Sequence, residues 1–449
     1  METLDIVIAP IYFVVAMMIA YLVRNRCTDS KTRSFFISGL LLKIIGAVAA
    51  GCVYQFYYDG GDTFNFYNNS KIMWQAFKES PGLGMKVLFA RPSSYLSPEV
   101  AVYVNKMYFF GDKSSMGIIR LCTLVGLFTF HTYTGIAIIF ACLSFSGLWA
   151  LYLVFYDRYP TYYKPIGVAC FFIPSVFFWG SGIFKDSITL GALGWLLYGF
   201  YFGIIKKENL LKNSLIAIIS VIIIINVKVY IILCMLPGLF IVFYIEKIRL
   251  FKYKFLKILI GPILITTIIF VLQFFLDWIA KQDQRYAIES IAVTSKITAE
   301  DIRFVTGKDG GSGYTLGKLD GTFYGMLRLA PQAINVSLFR PYIWEIKNFL
   351  MLLSSLESTF FLILTIIVLV RLRLVRLFYF LRKDTWLLFC LLFTLTFAFG
   401  VGVSSFNFGT LSRYKLPLMP FFAIFLFILL ERTKKIKNSD SNPQTSLEN

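Results

Sequence analysis

The chain is poor in the residues that build metal centres and disulfide frameworks. It holds a single histidine, His131, so no multi-histidine metal site can be assembled. Its seven cysteines, Cys27, Cys52, Cys122, Cys142, Cys170, Cys234 and Cys390, are odd in number and scattered, mostly inside apolar runs. With no C-x-x-C pair among them, neither a zinc site nor a disulfide framework is expected. Acid is also scarce, with 25 Asp plus Glu against 44 Lys plus Arg and a net charge of +19. That excess would suggest nucleic acid only if its location were ignored. The basic residues fall in short clusters between apolar runs, the pattern of loops held on the cytoplasmic side of a membrane. No nucleic-acid partner is expected. No internal repeat and no soluble Rossmann-like domain is visible. The first apolar run has acids before it, Glu2 and Asp5, and no basic n-region, so it reads as a retained helix rather than a cleaved signal.

What is present is apolar. The 449 residues are 57% hydrophobic and 18% aromatic, with a mean hydropathy of +0.70. The fold class expected is all-α, a polytopic transmembrane helical protein. About eleven runs are long enough to count as spans: 5–23, 34–56, 132–155, 165–179, 187–205, 213–227, 229–245, 256–276, 346–370, 385–403 and 417–430. The basic clusters Arg24–Arg33, Arg158–Lys164, Lys206–Lys212, Lys247–Lys257, Arg371–Lys383 and Arg432–Lys437 each follow an odd-numbered run. All of them can therefore face the cytoplasm together, with the N-terminus outside and the C-terminus inside. The apolar stretch Met116–Phe130, which carries Arg120, would invert most later clusters if it crossed. It reads as a re-entrant or surface helix. One membrane domain then covers 1–433, with outer loops at 57–131 and 277–345 and a disordered cytoplasmic tail at 434–449.

Two apolar runs meet at Pro174–Ser187, where Gly180-Ser181-Gly182 is followed by adjacent opposite charges, Lys185 and Asp186. They open a helix whose first N–H groups are unpaired and whose dipole is positive there. Asp186 or Ser187 could cap that end, and Lys185 would make a resting place for a phosphate. The plainer reading is a snorkelling lysine beside a cap.

The first outer loop opens with Asp59-Gly60-Gly61-Asp62. Carboxylates just outside a membrane can act as a general base on a hydroxyl or bind a divalent cation. Tyr57, Tyr58, Phe64, Phe66 and Tyr67 could stack on sugar rings or form the interfacial aromatic belt. The second loop carries Thr306–Gly317, glycine-rich but without P-loop spacing, which fits a flexible loop over an outer cavity. Arg340 stands before the run at 346–370, with Pro341 stiffening it, and either binds phosphate or snorkels. Glu357 lies about three turns inside that run, where a charge is costly and needs a cavity or a partner. Lys228 could be that partner if their helices meet. Arg413 and Lys415 are outward cations against the inside bias, placed to bind an anion or to pin a helix end at lipid headgroups.

Several of these patches resemble one family. Asp62 resembles the outer-loop acid of the polyprenyl-phosphate-dependent integral-membrane glycosyltransferases, the GT-C class. Ser412–Pro420 resembles the R-x-Y-x-L-P-x-x-P-like stretch before a late helix in some members. Pro174–Trp179 with Lys185-Asp186, and Phe339–Tyr342, resemble bacterial polysaccharide-assembly membrane proteins. These patches cover about a tenth of the chain. The acidic loop follows the second apolar run here, whereas in the family it normally follows the first. The resemblance implies a GT-C-like fold in a bacterial inner membrane. It also implies a polyprenyl-phosphate-linked sugar as donor and a glycan or protein as acceptor. Asp62 and Asp59 would then be the catalytic carboxylates, with Asp62 as the candidate base, and Lys185, Arg340, Arg413 and Lys415 would hold phosphate. Asp186, Glu357, Lys228 and Arg120 complete the cavity candidates, and a divalent cation could take part. The competing expectations are a transporter, flippase or polymerase for lipid-linked glycans, and a scaffold whose charges only anchor it to membrane lipid.

Overall fold

A computed structural model describes residues 3–92, 94–248, 288–310, 312–317 and 320–441, with scattered positions between 262 and 277. About half of the expected run 256–276 lies outside the described residues, as do Glu2, Gly311 and residues 442–449. The described residues form helices, and the only bridge outside them is an isolated one between Gly313 and Asn407. The protein is all-α and polytopic. Eight described helices are long and apolar enough to cross a membrane, which marks an integral membrane protein.

The chain divides into two compact units, Met1–Val229 and Tyr230–Asn449. In the first, α1 (Thr3–Cys27) and α2 (Arg33–Phe56) are followed by α3 (Asp62–Glu79), α4 (Pro81–Phe89), α5 (Pro98–Val104) and α6 (Lys113–Phe128). The expected outer loop is thus a folded helical segment. At 16 residues, α6 is about 24 Å long, short of a hydrocarbon core of about 30 Å. Next come α7 (Tyr133–Arg158), α8 (Tyr163–Phe171), α9 (Pro174–Trp179), α10 (Lys185–Tyr198) and α11 (Leu210–Lys228). The expected crossing at 165–179 is not one helix. Pro174 has no N–H to give and disfavours helical backbone at Ile173, so the chain restarts there. It is interrupted again between Trp179 and Lys185.

Burial separates the centre of this unit from its rim. Within the apolar window of α7, 72% of residues are buried, against 11% in α1, so α7 is the hub and α1 faces lipid. α7 and α10 cross at backbone distance. A Cβ on Gly147 would sit 1.8 Å from the Gly191 carbonyl oxygen, and one on Gly194 would sit 1.9 Å from that of Gly147. Small residues permit this approach, and dispersion between backbones then holds the pair without a hydrophobic drive.

The second unit contains α12 (Tyr230–Ile248), α13 (Ile288–Gly310), α14 (Phe323–Arg328), α15 (Ala330–Phe339), α16 (Phe349–Lys383), α17 (Thr385–Ser405), α18 (Phe408–Tyr414) and α19 (Met419–Ser441). α16 is 35 residues long and has a positive φ of 53° at Arg373. The unit's core holds a ladder of buried Phe389, Phe393 and Phe397 on α17, with Phe389 and Phe393 packed against Phe421 of α19. Residues 434–441, expected in a disordered tail, continue the helix of α19.

Candidate functional site

In the first unit the charged residues gather where α3, α6 and α10 begin. Asp59, Gly60 and Gly61 all have positive φ, at 51°, 126° and 114°. The two glycines adopt this without the Cβ penalty. A Cβ on Gly61 would also approach within 2.8 Å of the Tyr54 ring. The turn delivers Asp62 to the first turn of α3. α3 is then tied down by the Thr63 and Tyr133 hydroxyls, 2.7 Å apart, and by Phe66 against Phe109.

Lys185 opens α10. Its ammonium donates to the Ser114 hydroxyl at 2.6 Å and to the Asp112 carboxylate at 3.2 Å. Its Nζ lies 5.8 Å from the Phe66 ring centroid, and Asp62 is within its electrostatic reach. Asp112 is the N-cap of α6 and accepts from the Ser114 and Ser115 N–H groups at 3.2 Å each. Burial works to raise the Asp112 carboxyl. The Ser115 and Ser114 hydroxyls and the Lys185 charge outweigh it and hold the pKa at about 2.

Asp186 faces the other way. It is bound 2.5 Å from Lys228, the last residue of α11, and the two side chains are only 2% and 8% exposed. Lys228, a conditional candidate partner for Glu357, has Asp186 as a partner here. Arg120 lies on α6 and donates to the Ala90 carbonyl at 2.8 Å. An open apolar groove of about 420 Å³ runs between α6, α7, α10 and α11, with Ile188, Gly191, Ala192 and Trp195 along one face of α10.

Lys43 is a buried residue of this unit that was not foreseen. It sits in the middle of α2 and is 1% exposed. It donates to the Val176 and Gly180 carbonyls at 3.1 and 2.6 Å. Gly180 also accepts from the Ser144 hydroxyl at 2.7 Å. These carbonyls end α9, where the helix leaves its acceptors unmatched. Lys43 thus caps the interrupted helix from a different segment. A lone lysine inside an apolar run is the signal that could have found it. Asp112 had a signal too, an Asp just before an apolar periodic stretch.

In the second unit, Arg340 is held by both oxygens of Glu345, from Nε at 3.1 and 3.0 Å and from Nη2. Its guanidinium stands over Tyr314, Tyr342 and Phe408. Burial raises the Glu345 carboxyl, but the Arg340 guanidinium and the Tyr342 N–H bring it below its ordinary value. Lys415 is fully buried and lies 3.2 Å from the Ser358 hydroxyl, which donates to the Arg340 carbonyl. Glu357 is within electrostatic reach of Lys415. Arg413 is half-buried, with its guanidinium 5.8 Å from the Tyr414 ring centroid. The glycine-rich stretch is not a free loop. Thr306–Gly310 ends α13, and Tyr314 and Phe408 bond through their N–H groups to the Phe406 and Ser312 carbonyls.

Asp62 and Lys185 therefore lie near each other in the first unit, and Arg340, Glu357 and Lys415 cluster in the second. Among the described residues, no group of three or more His, Cys, Asp or Glu side chains is placed to hold a metal ion. A divalent cation at Asp59 and Asp62 would draw its other ligands from water and phosphate oxygens. No protein-family model, curated protein or solved structure matches the chain.

Proposed function

We propose that the protein is a GT-C-like glycosyltransferase, moving a sugar from a polyprenyl-phosphate-linked donor to a glycan or protein acceptor on the extracytoplasmic face. The setting would be cell-surface glycan assembly in a bacterial inner membrane, with the N-terminus outside. One observation carries this reading. A carboxylate, Asp62, lies within electrostatic reach of a cation, Lys185, which opens α10, and that helix lines an apolar groove from Ile188 onward. A phosphate-headed amphiphile with an apolar tail requires that combination. In this reading Asp62 takes the proton from the acceptor hydroxyl. Lys185 offsets charge on the departing phosphate, in surroundings where a fixed cation acts more strongly than in water. Asp59 shapes the turn that presents Asp62. Arg340, Arg413 and Lys415 are the corresponding cations of the second unit.

The test is sugar transfer by purified variants, alongside donor binding. Asp62→Asn keeps the shape and removes the base, so transfer should fall by roughly 10²- to 10⁴-fold with donor binding retained. Transfer at the wild-type rate would remove Asp62 from the mechanism. A second reading, transport of the same amphiphile, is favoured by the interrupted helix α9–α10, since broken helices build substrate sites in transporters. Wild-type protein that binds the donor and transfers nothing would select it.

A further inference from the structure

The long helix α16 breaks at Arg373, whose φ of 53° and ψ of 153° lie outside helical backbone. The break falls about 36 Å along the helix from Phe349, farther than a hydrocarbon core of about 30 Å. Before it, Leu356, Phe360, Ile363, Ile366 and Leu369 are exposed. After it, residues 374–383 are helical again. Leu374, Val375, Phe378 and Tyr379 share one face of this piece at helical spacing. All four are more than half exposed, Val375 at 81%. The opposite face is taken. Leu381 is buried there, and the Arg432 guanidinium stands 5.3 Å from the Phe380 ring centroid. From Ser358 to Lys383 the chain holds no acid, and its end carries Arg371, Arg373, Arg376, Arg382 and Lys383. Among the described residues, no carboxylate pairs with Arg371, Arg373, Arg376 or Arg382. By contrast Arg340 and Arg432 of the same unit are each held by one.

We propose that residues 374–383 form an interfacial helix that binds anionic phospholipid. Leu374, Val375, Phe378 and Tyr379 enter the boundary between headgroups and acyl chains, and Arg371, Arg373 and Arg376 take the headgroup phosphates. An exposed apolar face beside cations is the composition of a helix lying in the membrane interface. Arginines without a protein carboxylate are matched by phosphate oxygens, and a headgroup of net negative charge matches them better than a zwitterionic one. The break at Arg373 lets the chain leave the direction of 349–372. Lipid fits this face better than a partner protein does, because the face follows directly on the exposed apolar stretch of α16. The inference goes beyond the sugar-transfer reading and needs neither donor nor acceptor.

Photocrosslinking tests what covers the face. Full-length protein carrying Phe378→p-benzoylphenylalanine is placed in nanodiscs of equal parts phosphatidylglycerol and phosphatidylcholine, irradiated, and its adducts identified by mass. Each cation near an anionic surface is worth about fivefold. Phosphatidylglycerol adducts should outnumber phosphatidylcholine adducts by at least about thirtyfold, and Arg371→Gln with Arg376→Gln should lower the ratio by about that factor. Arg371→Lys with Arg376→Lys keeps the charge and should keep the preference, which separates lost binding from a lost fold. Raising the salt to about 1 M, where screening acts within about 3 Å, should flatten the preference in the unsubstituted background. Adducts in the bulk lipid ratio would leave the helix in lipid without an anionic site and overturn the proposal. Adducts to a second copy of the chain would make the face a protein interface, and no adduct at all would place it in water. Either result overturns the proposal too.

Discussion

The charges at the helix starts of the first unit are paired over long stretches of chain, whereas the second unit combines a local pair with a distant one. Lys185 meets Asp112 at a separation of 73 residues, and Asp186 meets Lys228 at a separation of 42. Arg340 meets Glu345, at a separation of 5. The buried lysines differ in the same sense. Lys43 donates to two carbonyls on another helix, whereas Lys415 is bonded to a single hydroxyl. A pair between distant segments specifies which helices meet. A local pair shapes only one turn. The first unit therefore uses charge pairs to bring helix starts together, and the second sets a local pair, Arg340–Glu345, beside a distant one, Arg432–Asp384, 48 residues apart.

The largest expected effect would come from breaking the Asp186–Lys228 pair. Lys228→Met leaves Asp186 buried without that partner and should cost about 3–5 kcal/mol. Arg340→Ala, in a pair about a fifth exposed, should cost about 1 kcal/mol. Thermal unfolding of detergent-purified variants gives both values, and a greater loss from Arg340→Ala would reverse the comparison.

The two buried lysines sharpen it at the next level. Lys43→Met removes two hydrogen bonds from a cation to carbonyls and should destabilise by roughly 1.5–3 kcal/mol. Lys415→Met removes one bond to a neutral hydroxyl and a cation within reach of Glu357, so its cost should be about 0.5–1.5 kcal/mol. Equal losses in the same unfolding assay would show that the carbonyl cap on α9 carries no special weight.

The smallest effect is acid sensitivity. The Asp112 carboxyl is depressed to about 2, below the ordinary carboxylate value of about 3.9. A depressed carboxyl contributes stability that is full above its unfolded pKa and is lost as pH falls through its folded pKa. The Asp112 contribution should therefore fade between about pH 4 and about pH 2. Asp112→Asn should flatten that part of the melting-temperature profile, and an unchanged slope would detach Asp112 from it.

Much of the architecture was legible because membrane crossing is a local property. The apolar runs at 5–23, 34–56, 132–155 and 385–403 each coincide with a long helix, since about 20 apolar residues must satisfy their backbone internally in lipid. The crossing expected at 165–179 misled because hydropathy does not register that Pro174 restarts the helix. In the segment 57–131 only the helix at 116–130 is legible as an apolar stretch, and it corresponds to α6. α3 is more polar and α4 and α5 are short, so packing on neighbours stabilises them.

Composition and order alone determined that this chain is an all-α membrane protein, that Gly60-Gly61 makes a turn before Asp62, and that Lys185 and Asp186 open a helix. Each follows from residues next to one another. The tertiary structure alone decided the partners. Which carboxylate meets Lys185, that Lys228 meets Asp186, and that Lys43 caps α9 all depend on helices 42 to 137 residues apart coming together. Those meetings are set by side-chain and backbone packing, such as the Gly147–Gly191 approach, and packing has no local signature in the chain.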